Sequence, residues 1–256
     1  VISVVLCSTL FARRTSTRCC SPHSSILQKN ARKWCATMLN YTLEEQVAVL
    51  AYDDGKANAV GHSYLDALNE GLDRAEKEAR AVLLTGRDGV FSAGFDLKEI
   101  QQGADAAAAL VGRGAELMLR LFSFPLPVVA AASGHAIAAG AFLLLAADTR
   151  IGAAGDFRIG LNETAIGMTL PVFALELSRE RLSKRHQTSA FIQAQLYDPE
   201  GAKQAGFLDE VAPPAMLMQS ALARAAALGE LPAQAYAANK IILRQAAISA
   251  IKASLG

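Results

Sequence analysis

Glu163 has neighbours that would suit its side chain to proton transfer. It is the only charged residue in the segment Gly160-Leu161-Asn162-Glu163-Thr164-Ala165-Ile166-Gly167. Burial among such neighbours raises the pKa of a carboxylic acid and makes its carboxylate a proton acceptor near neutral pH. The same residues fit a glutamate at a turn or helix start near solvent, where most glutamates lie. The segment by itself leaves both interpretations open.

Residues 82–100 contain a loop that could bind a developing negative charge. An apolar run of strand length leads into small residues, among them Ser92, Ala93 and Gly94, and then into a short polar helix start. Small residues let the backbone approach a bound group closely, and N–H groups near a helix start are free to bind an anion. The loop is a candidate for half of an oxyanion hole, although a plain strand-to-helix connection fits the same spacing.

A second loop of this kind joins a predicted strand to a helix of small residues. Its sequence is Ser133-Gly134-His135-Ala136-Ile137-Ala138-Ala139-Gly140-Ala141-Phe142. Such a helix start offers free N–H donors and room for a substrate, but tight helix packing also requires small residues. Two amides directed at one oxygen would stabilise a negative charge that develops on that oxygen.

The elements that must position these loops follow from the hydrophobic pattern. Strands are predicted at residues 46–52, 81–85, 127–132, 149–153 and 157–159, and early helices at 62–80, 104–122 and 138–147. From Pro171 onward the pattern is almost entirely helical, with helices at 174–182, 185–195, 199–205, 215–228 and 232–253. Alternating strands and helices followed by helices alone predict an α/β core with a C-terminal helical region.

The composition indicates a packed globular protein. The chain has 256 residues, of which 52% are hydrophobic and 19% charged, with a net charge of +1, so we expect neither nucleic acid nor a membrane as its partner. Residues 1–37 contain six basic residues, no acidic residue and all four cysteines. This segment fits a transit peptide or a non-native extension. A cysteine-free remainder predicts a reducing compartment, cytoplasmic, or mitochondrial if the transit peptide is genuine.

The segment Phe91-Ser92-Ala93-Gly94-Phe95-Asp96-Leu97-Lys98-Glu99 resembles the first signature of the crotonase (enoyl-CoA hydratase/isomerase) superfamily. The resemblance extends from about residue 45 to the C-terminus. It implies a crotonase-like spiral of β-β-α units over residues 38–195 and a helical trimerisation region over 196–256. It also implies an acyl-CoA thioester substrate, assembly as a homotrimer or dimer of trimers, no metal, and no cofactor apart from the CoA that belongs to the substrate.

The same resemblance assigns roles to individual residues. It places the two oxyanion donors on the backbone N–H groups of Phe95 and Ala139, although Ala138 and Ala139 stand where the family usually has glycines. Substrate contacts are expected from a larger set: Ala57, Asn58, Ala93, Gly94, Asp96, Leu97, Lys98, Gly140, Phe142 and Asn162. Lys240 resembles a lysine that reaches CoA in relatives, but we expect it at the surface.

The segment Gly160-Leu161-Asn162-Glu163-Thr164 is similar to that of Δ3,Δ2-enoyl-CoA isomerases, in which the glutamate is the acid/base. The other glutamate of the hydratases falls on Phe142, which cannot transfer a proton. Moving a double bond needs one acid/base group, whereas hydration generally uses two. The sequence therefore predicts an enoyl-CoA isomerase with Glu163 as its catalytic residue. A hydratase or another crotonase-type reaction, and a non-catalytic acyl-CoA or protein-binding member of the fold, are the alternatives.

Overall fold

A computed structural model describes residues 38–255 of the chain. The predictions for residues 1–37 lie outside this range. Six strands form the main sheet in the order β1-β2-β3-β5-β7-β10, with β1 and β2 antiparallel and the other neighbours parallel. These strands are β1 (Leu39–Glu44), β2 (Val47–Tyr52), β3 (Ala81–Thr85), β5 (Val128–Ala132), β7 (Thr149–Ala153) and β10 (Glu210–Ala212).

A second, smaller sheet lies beside the first and has the order β4-β6-β8-β9. Its strands are β4 (Gly89–Ser92), β6 (Gly134–Ile137), β8 (Ile159–Gly160) and β9 (Leu196–Tyr197). β4, β6 and β8 run parallel to one another, and β9 pairs with β8 in the antiparallel direction. Each of the three parallel strands follows shortly after a strand of the main sheet, which gives the repeating β-β-α units expected from the resemblance.

Within residues 38–255, eight α-helices lie around the sheets. They are α1 (His62–Glu78), α2 (Leu97–Ile100), α3 (Ala104–Phe122), α4 (Ala139–Ala146), α5 (Val172–Arg181), α6 (Pro199–Ala205), α7 (Leu217–Gly229) and α8 (Ala233–Leu255). Every residue of α4 is buried, because the helix is apolar on all sides. None of the helices between residues 38 and 255 is both long and apolar enough to cross a membrane.

The α/β architecture is confirmed, but several short elements were missed. β1, β4, β6, β9 and β10 were not predicted, and residues 185–195 contain only a π-helical turn at Thr188–Ile192 instead of a regular helix. The predominantly helical character after Pro171 is confirmed, with β9, β10 and the π-helical turn as the departures. β10 extends the main sheet beside β7, and α7 packs under the same sheet through Leu217, Ala221 and Ala225.

Lys240 lies in a buried charge cluster, so the prediction of a surface position is wrong. Its Nζ donates to the backbone oxygens of Phe124 and Leu126 and lies 2.6 Å from Asp148 Oδ2. Arg244, one helical turn further along α8, reaches Asp148 Oδ1 at 2.8 Å. Burial lowers the pKa of Lys240 to about 8, and Asp148 opposes that decrease. The cluster fastens α8 to the start of β7 and to the chain after α3.

We predict that Asp148→Asn lowers the free energy of unfolding by about 3–5 kcal/mol, because it leaves two buried cations without their counter-charge. Glu230→Gln is the matched control. Glu230 pairs with Arg80 at 3.2 Å, but its side chain is 74% exposed, so its loss should cost about 0.5 kcal/mol or less. Urea unfolding of both variants checks this prediction, and equal losses would contradict it.

Candidate active site

Three loops meet at one edge of the smaller sheet. β4, β6 and β8 are parallel, so their carboxyl ends lie side by side. Phe95 follows β4 by three residues, Ala139 follows β6 by two, and Glu163 follows β8 by three. The Ala138 N–H donates to the Gly160 oxygen over 3.0 Å. Phe95, Ala139 and Glu163, the predicted catalytic residues, therefore follow strand ends that lie side by side.

The Phe95 amide is held in a fixed direction by its neighbours. The Val60 N–H donates to Gly94 O over 2.8 Å, and the Asp96 N–H donates to Val60 O over 3.1 Å, which is a parallel β-bridge around Phe95. In such a bridge the middle residue directs its own N–H away from the partner. No acceptor within residues 38–255 receives this N–H, so it is available to a ligand.

The Ala139 amide lies at the N-terminal end of α4. The amides of Ala141 and Phe142 both donate to Ala138 O, but the Ala139 N–H has no acceptor among the described residues. The positive end of the helix dipole adds to its attraction for negative charge. A Cβ placed on Gly94 would lie 3.6 Å from this nitrogen, so the two loops approach each other closely here.

Ala138 adopts a backbone conformation that favours glycine, with φ 53° and ψ −121°. The predicted donor, Ala139, is the first residue of the helix and needs no positive φ. The departure from the family's glycines therefore affects backbone strain at Ala138 and leaves the N–H of Ala139 in place. Gly140 allows a close packing contact, since a Cβ there would lie 2.3 Å from Ser92 O.

Glu163 precedes a 3₁₀ turn at Thr164–Ile166, yet its side chain is buried. The residue is 7% exposed, and its Oε2 atom has no hydrogen-bond partner in the described part of the chain. Burial raises the pKa of Glu163 to about 7, and the backbone amides of Glu163 and Asn162 partly oppose the increase. The prediction of a buried carboxylate with a raised pKa is confirmed, and the solvent-exposed alternative is excluded.

Phe142 on α4 and Phe173 on α5 form a buried aromatic pair, an apolar wall that begins three residues after Ala139. Phe142 is 1% exposed and lies three residues after Ala139, on the same face of α4. Phe173 at the start of α5 meets its ring edge-on, with 5.3 Å between the ring centres. No charged group contributes to the raised pKa of Glu163, so Glu163 has no neighbouring carboxylate that shares its proton.

Asn58 was predicted to contact substrate, but its polar atoms bind other parts of the protein. Its Nδ2 donates to Tyr52 O over 2.9 Å, and its Oδ1 accepts from the Asp54 N–H. The backbone oxygen of Asn58 accepts from the Ser92 hydroxyl over 2.8 Å. Asn58 is fully buried and ties the end of β2 to β4. Its place in the site is to position the first loop.

The remaining predicted residues differ in how accessible they are. Ala57 and Ala93 are exposed and joined by a backbone hydrogen bond of 3.0 Å. Asp96 caps α2 by accepting from the Lys98 N–H over 2.8 Å. Leu97 and Lys98 are exposed, and the Oδ1 atom of Asn162 is buried without a partner in the described chain. These residues can border a ligand that enters between the two loops.

Sequence reasoning missed Val60 and Phe173, which support the site. Val60 holds the Phe95 backbone, and Phe173 completes the wall behind Phe142. Neither has a local signal, because each meets the site from a distant segment.

Within residues 38–255, no group of three or more His, Cys, Asp or Glu side chains could hold a metal ion. The arrangement can bind an oxyanion at two amides and transfer a proton through one buried carboxylate.

Comparisons with known proteins agree with this geometry. The profile of the enoyl-CoA hydratase/isomerase family matches residues 42–255. A Homo sapiens protein named enoyl-CoA delta isomerase 1, mitochondrial, is 33% identical over 208 residues, covering 79% of this chain and 69% of the relative. A Rhodobacter capsulatus protein named probable enoyl-CoA hydratase is 33% identical over 210 residues, covering 79% of each. The crystal structure of an enoyl-CoA hydratase/isomerase family protein from Pseudomonas syringae is 43% identical, with a TM-score of 0.83 over 85% of this chain and 95% of that one.

We predict that Glu163→Gln removes a pH-dependent loss of stability. Because the folded pKa of about 7 lies above the ordinary 4.5, the folded protein holds this proton more tightly than the unfolded chain. The contribution of Glu163 to the free energy of unfolding of the parent should therefore be fully present below about pH 4.5. About 3 kcal/mol of it should be lost as the pH rises through 7. Urea unfolding from about pH 4 to 8 should show the variant gaining that amount relative to the parent. The exposed control Glu180→Gln should show no such slope, and a flat difference for Glu163→Gln would contradict the prediction.

We predict opposite effects from glycine at two adjacent positions. Ala138→Gly should raise the free energy of unfolding by about 1 kcal/mol, because it relieves the strain of a positive φ. Ala139→Gly, in the first turn of α4, should lower it by about 0.5–1 kcal/mol through the poor helix propensity of glycine. Thermal unfolding of the two variants provides the measurement, and a loss of stability in Ala138→Gly would contradict the assignment of strain to that residue.

Proposed function

The chain belongs to the enoyl-CoA hydratase/isomerase family, and from this we propose that it moves the double bond of a 3-enoyl-CoA to the 2 position. The family makes it an acyl-CoA-processing enzyme. The isomerase reaction rests on one observation in particular. Glu163 is a buried carboxylate whose pKa is raised to about 7 by burial and not by a second acid, so the site offers one proton-transferring group.

In the proposed reaction the thioester oxygen binds between the N–H groups of Phe95 and Ala139. The Glu163 carboxylate removes a proton from C2, and the electron pair of that C–H bond moves into a dienolate whose negative charge lies on the thioester oxygen. Glu163 then returns the proton to C4, the double bond forms between C2 and C3, and the thioester carbonyl is restored. Each of two preorganised amides could supply about 2.7–4 kcal/mol of stabilisation to the charged intermediate.

The wall formed by Phe142 and Phe173 supports isomerisation over hydration. Hydration would need a group that activates water and a group that protonates carbon, and Phe142 stands at the position of the hydratases' other glutamate. Its ring can do neither. A buried aromatic pair also keeps water away from the dienolate, which would otherwise be protonated from solvent. The relatives carry both isomerase and hydratase names, so the choice depends on these residues.

The proposal includes assembly and location. Ile242 and Leu243 on α8 are 70% and 77% exposed, and such apolar side chains would be covered by contact between subunits, which supports a homotrimer or a dimer of trimers. The Homo sapiens relative is named as mitochondrial. Together with the basic, acid-free composition of residues 1–37, this supports a mitochondrial location, and a cytoplasmic one is the alternative. The substrate itself provides CoA, and the proposed steps need no further cofactor.

We predict that the protein converts 3-hexenoyl-CoA to 2-hexenoyl-CoA and does not add water to 2-hexenoyl-CoA. Glu163→Gln should lower kcat by about 10³-fold or more, because general acid–base catalysis contributes about 10²–10⁴-fold, while CoA binding persists. For the parent, kcat/KM should rise with pH and level off above about 7, where Glu163 is ionised. The exposed control Glu180→Gln should behave as the parent.

Absorbance of the conjugated thioester and chromatography of the products provide the measurements. Hydration of 2-hexenoyl-CoA without migration would favour the hydratase alternative. Binding of both thioesters without any turnover by the parent would favour a non-catalytic acyl-CoA-binding protein. Full activity of Glu163→Gln would exclude the proposed acid/base role.

A further inference from the structure

Two glycines interrupt α3, and they differ in what surrounds them. Gly112 and Gly114 lie in the interior of this 19-residue helix, where glycine is unfavourable compared with alanine. A Cβ on Gly112 would have no heavy atom within 4 Å. A Cβ on Gly114 would lie 2.6 Å from both Cε1 and Cζ of the Phe95 ring. The ring occupies the space that any side chain at position 114 would need.

The contact matters because other parts of the protein hold both the backbone and the ring of Phe95. Its backbone is clamped by the bridge to Val60, and its ring packs against the main hydrophobic core together with Ile100 and Val111. A phenylalanine ring moves as a rigid body around two torsions. Because the ring also packs against the core, we expect its displacement from α3 to be passed on to the Phe95 backbone and to the direction of its N–H.

The helix that carries Gly114 is fastened to the same frame that clamps the Phe95 backbone. Val60 lies two residues before His62, the first residue of α1. Arg113, the neighbour of Gly114, donates from Nη1 to His62 Nδ1 over 2.7 Å and also pairs with Asp66. The start of α1 thus contacts α3 through Arg113, and the residue two positions before it, Val60, holds the Phe95 backbone.

We propose that Gly114 is a positioning residue for the reaction: its missing side chain seats the Phe95 ring on α3 and so fixes the Phe95 N–H toward the thioester oxygen. The inference rests on the proposed function, since it concerns the oxyanion donor of that reaction. Gly114 acts only through Phe95 and itself touches no substrate. On this inference, an alanine at position 114 would favour the helix but move one of the two donors.

The test compares Gly114→Ala with Gly112→Ala, two identical substitutions one half-turn apart in the same helix. Gly112→Ala should keep the parent's kcat and raise the melting temperature by about 2–4 °C, because it only improves helix propensity. Gly114→Ala should lower kcat on 3-hexenoyl-CoA by about 10- to 100-fold, the effect of a displacement on the order of 1 Å, with a smaller change in KM. The amide resonance of Phe95 in a ¹⁵N-labelled sample should shift in Gly114→Ala and stay in place in Gly112→Ala.

Rescue separates positioning from a general loss of structure. Phe95→Leu shortens the side chain and keeps the backbone N–H, so the double variant Gly114→Ala, Phe95→Leu should recover the kcat of Phe95→Leu alone. Parent-like kcat in Gly114→Ala, or a double variant no better than Gly114→Ala, would overturn the inference while leaving the proposed function intact. A parent without isomerase activity would overturn the proposed function and, with it, the role of Gly114 in catalysis. An unchanged amide resonance of Phe95 in Gly114→Ala would overturn the inference that the contact at Gly114 positions the Phe95 backbone.

Discussion

Parallel pairing of three short strands is the constraint on which the site depends. The two candidate amides and the carboxylate all lie after β4, β6 and β8 and not within them, and β8 is only two residues long. Because they run in the same direction, the chain leaves all three at one edge, and the two amides and the carboxylate arrive there together. The larger sheet, the helices and the capping hydrogen bonds serve to keep these three ends in register.

Asp148 and Glu163 both have buried side chains, but their surroundings are opposite. Asp148 lies 2.6 and 2.8 Å from Lys240 and Arg244, and its charge fastens the C-terminal helix. Glu163 has no cationic partner within residues 38–255, and burial raises its pKa to about 7. A compensated charge holds a structure together, whereas an uncompensated one is ready to accept and release a proton. The difference lies in the neighbours that the fold supplies to each carboxylate.

The sequence allowed the fold class and the main helices to be predicted, since their periodic patterns are long. β4 and β10 could not be found in this way, because strands of four and three residues carry too little pattern. Glu163 could be predicted because residues 160–164 are similar to a segment of the isomerases, whereas its own neighbours left burial and exposure open. Lys240 could not, since a lysine is normally exposed and its counter-ion lies 92 positions away in the chain. The contact between Gly114 and the Phe95 ring likewise joins two distant segments, and a local motif cannot reveal it.

The complete burial of α4 has an electrostatic consequence. In most proteins the partial charge at a helix end is exposed, and dissolved ions weaken it within the first turn. All eight residues of α4 are buried, so counter-ions have no access along its length and its field acts through a medium of low polarisability. The attraction that Ala139 exerts on an oxygen anion is therefore insulated from the ionic strength of the surrounding solution, and it persists under conditions in which surface charges are screened.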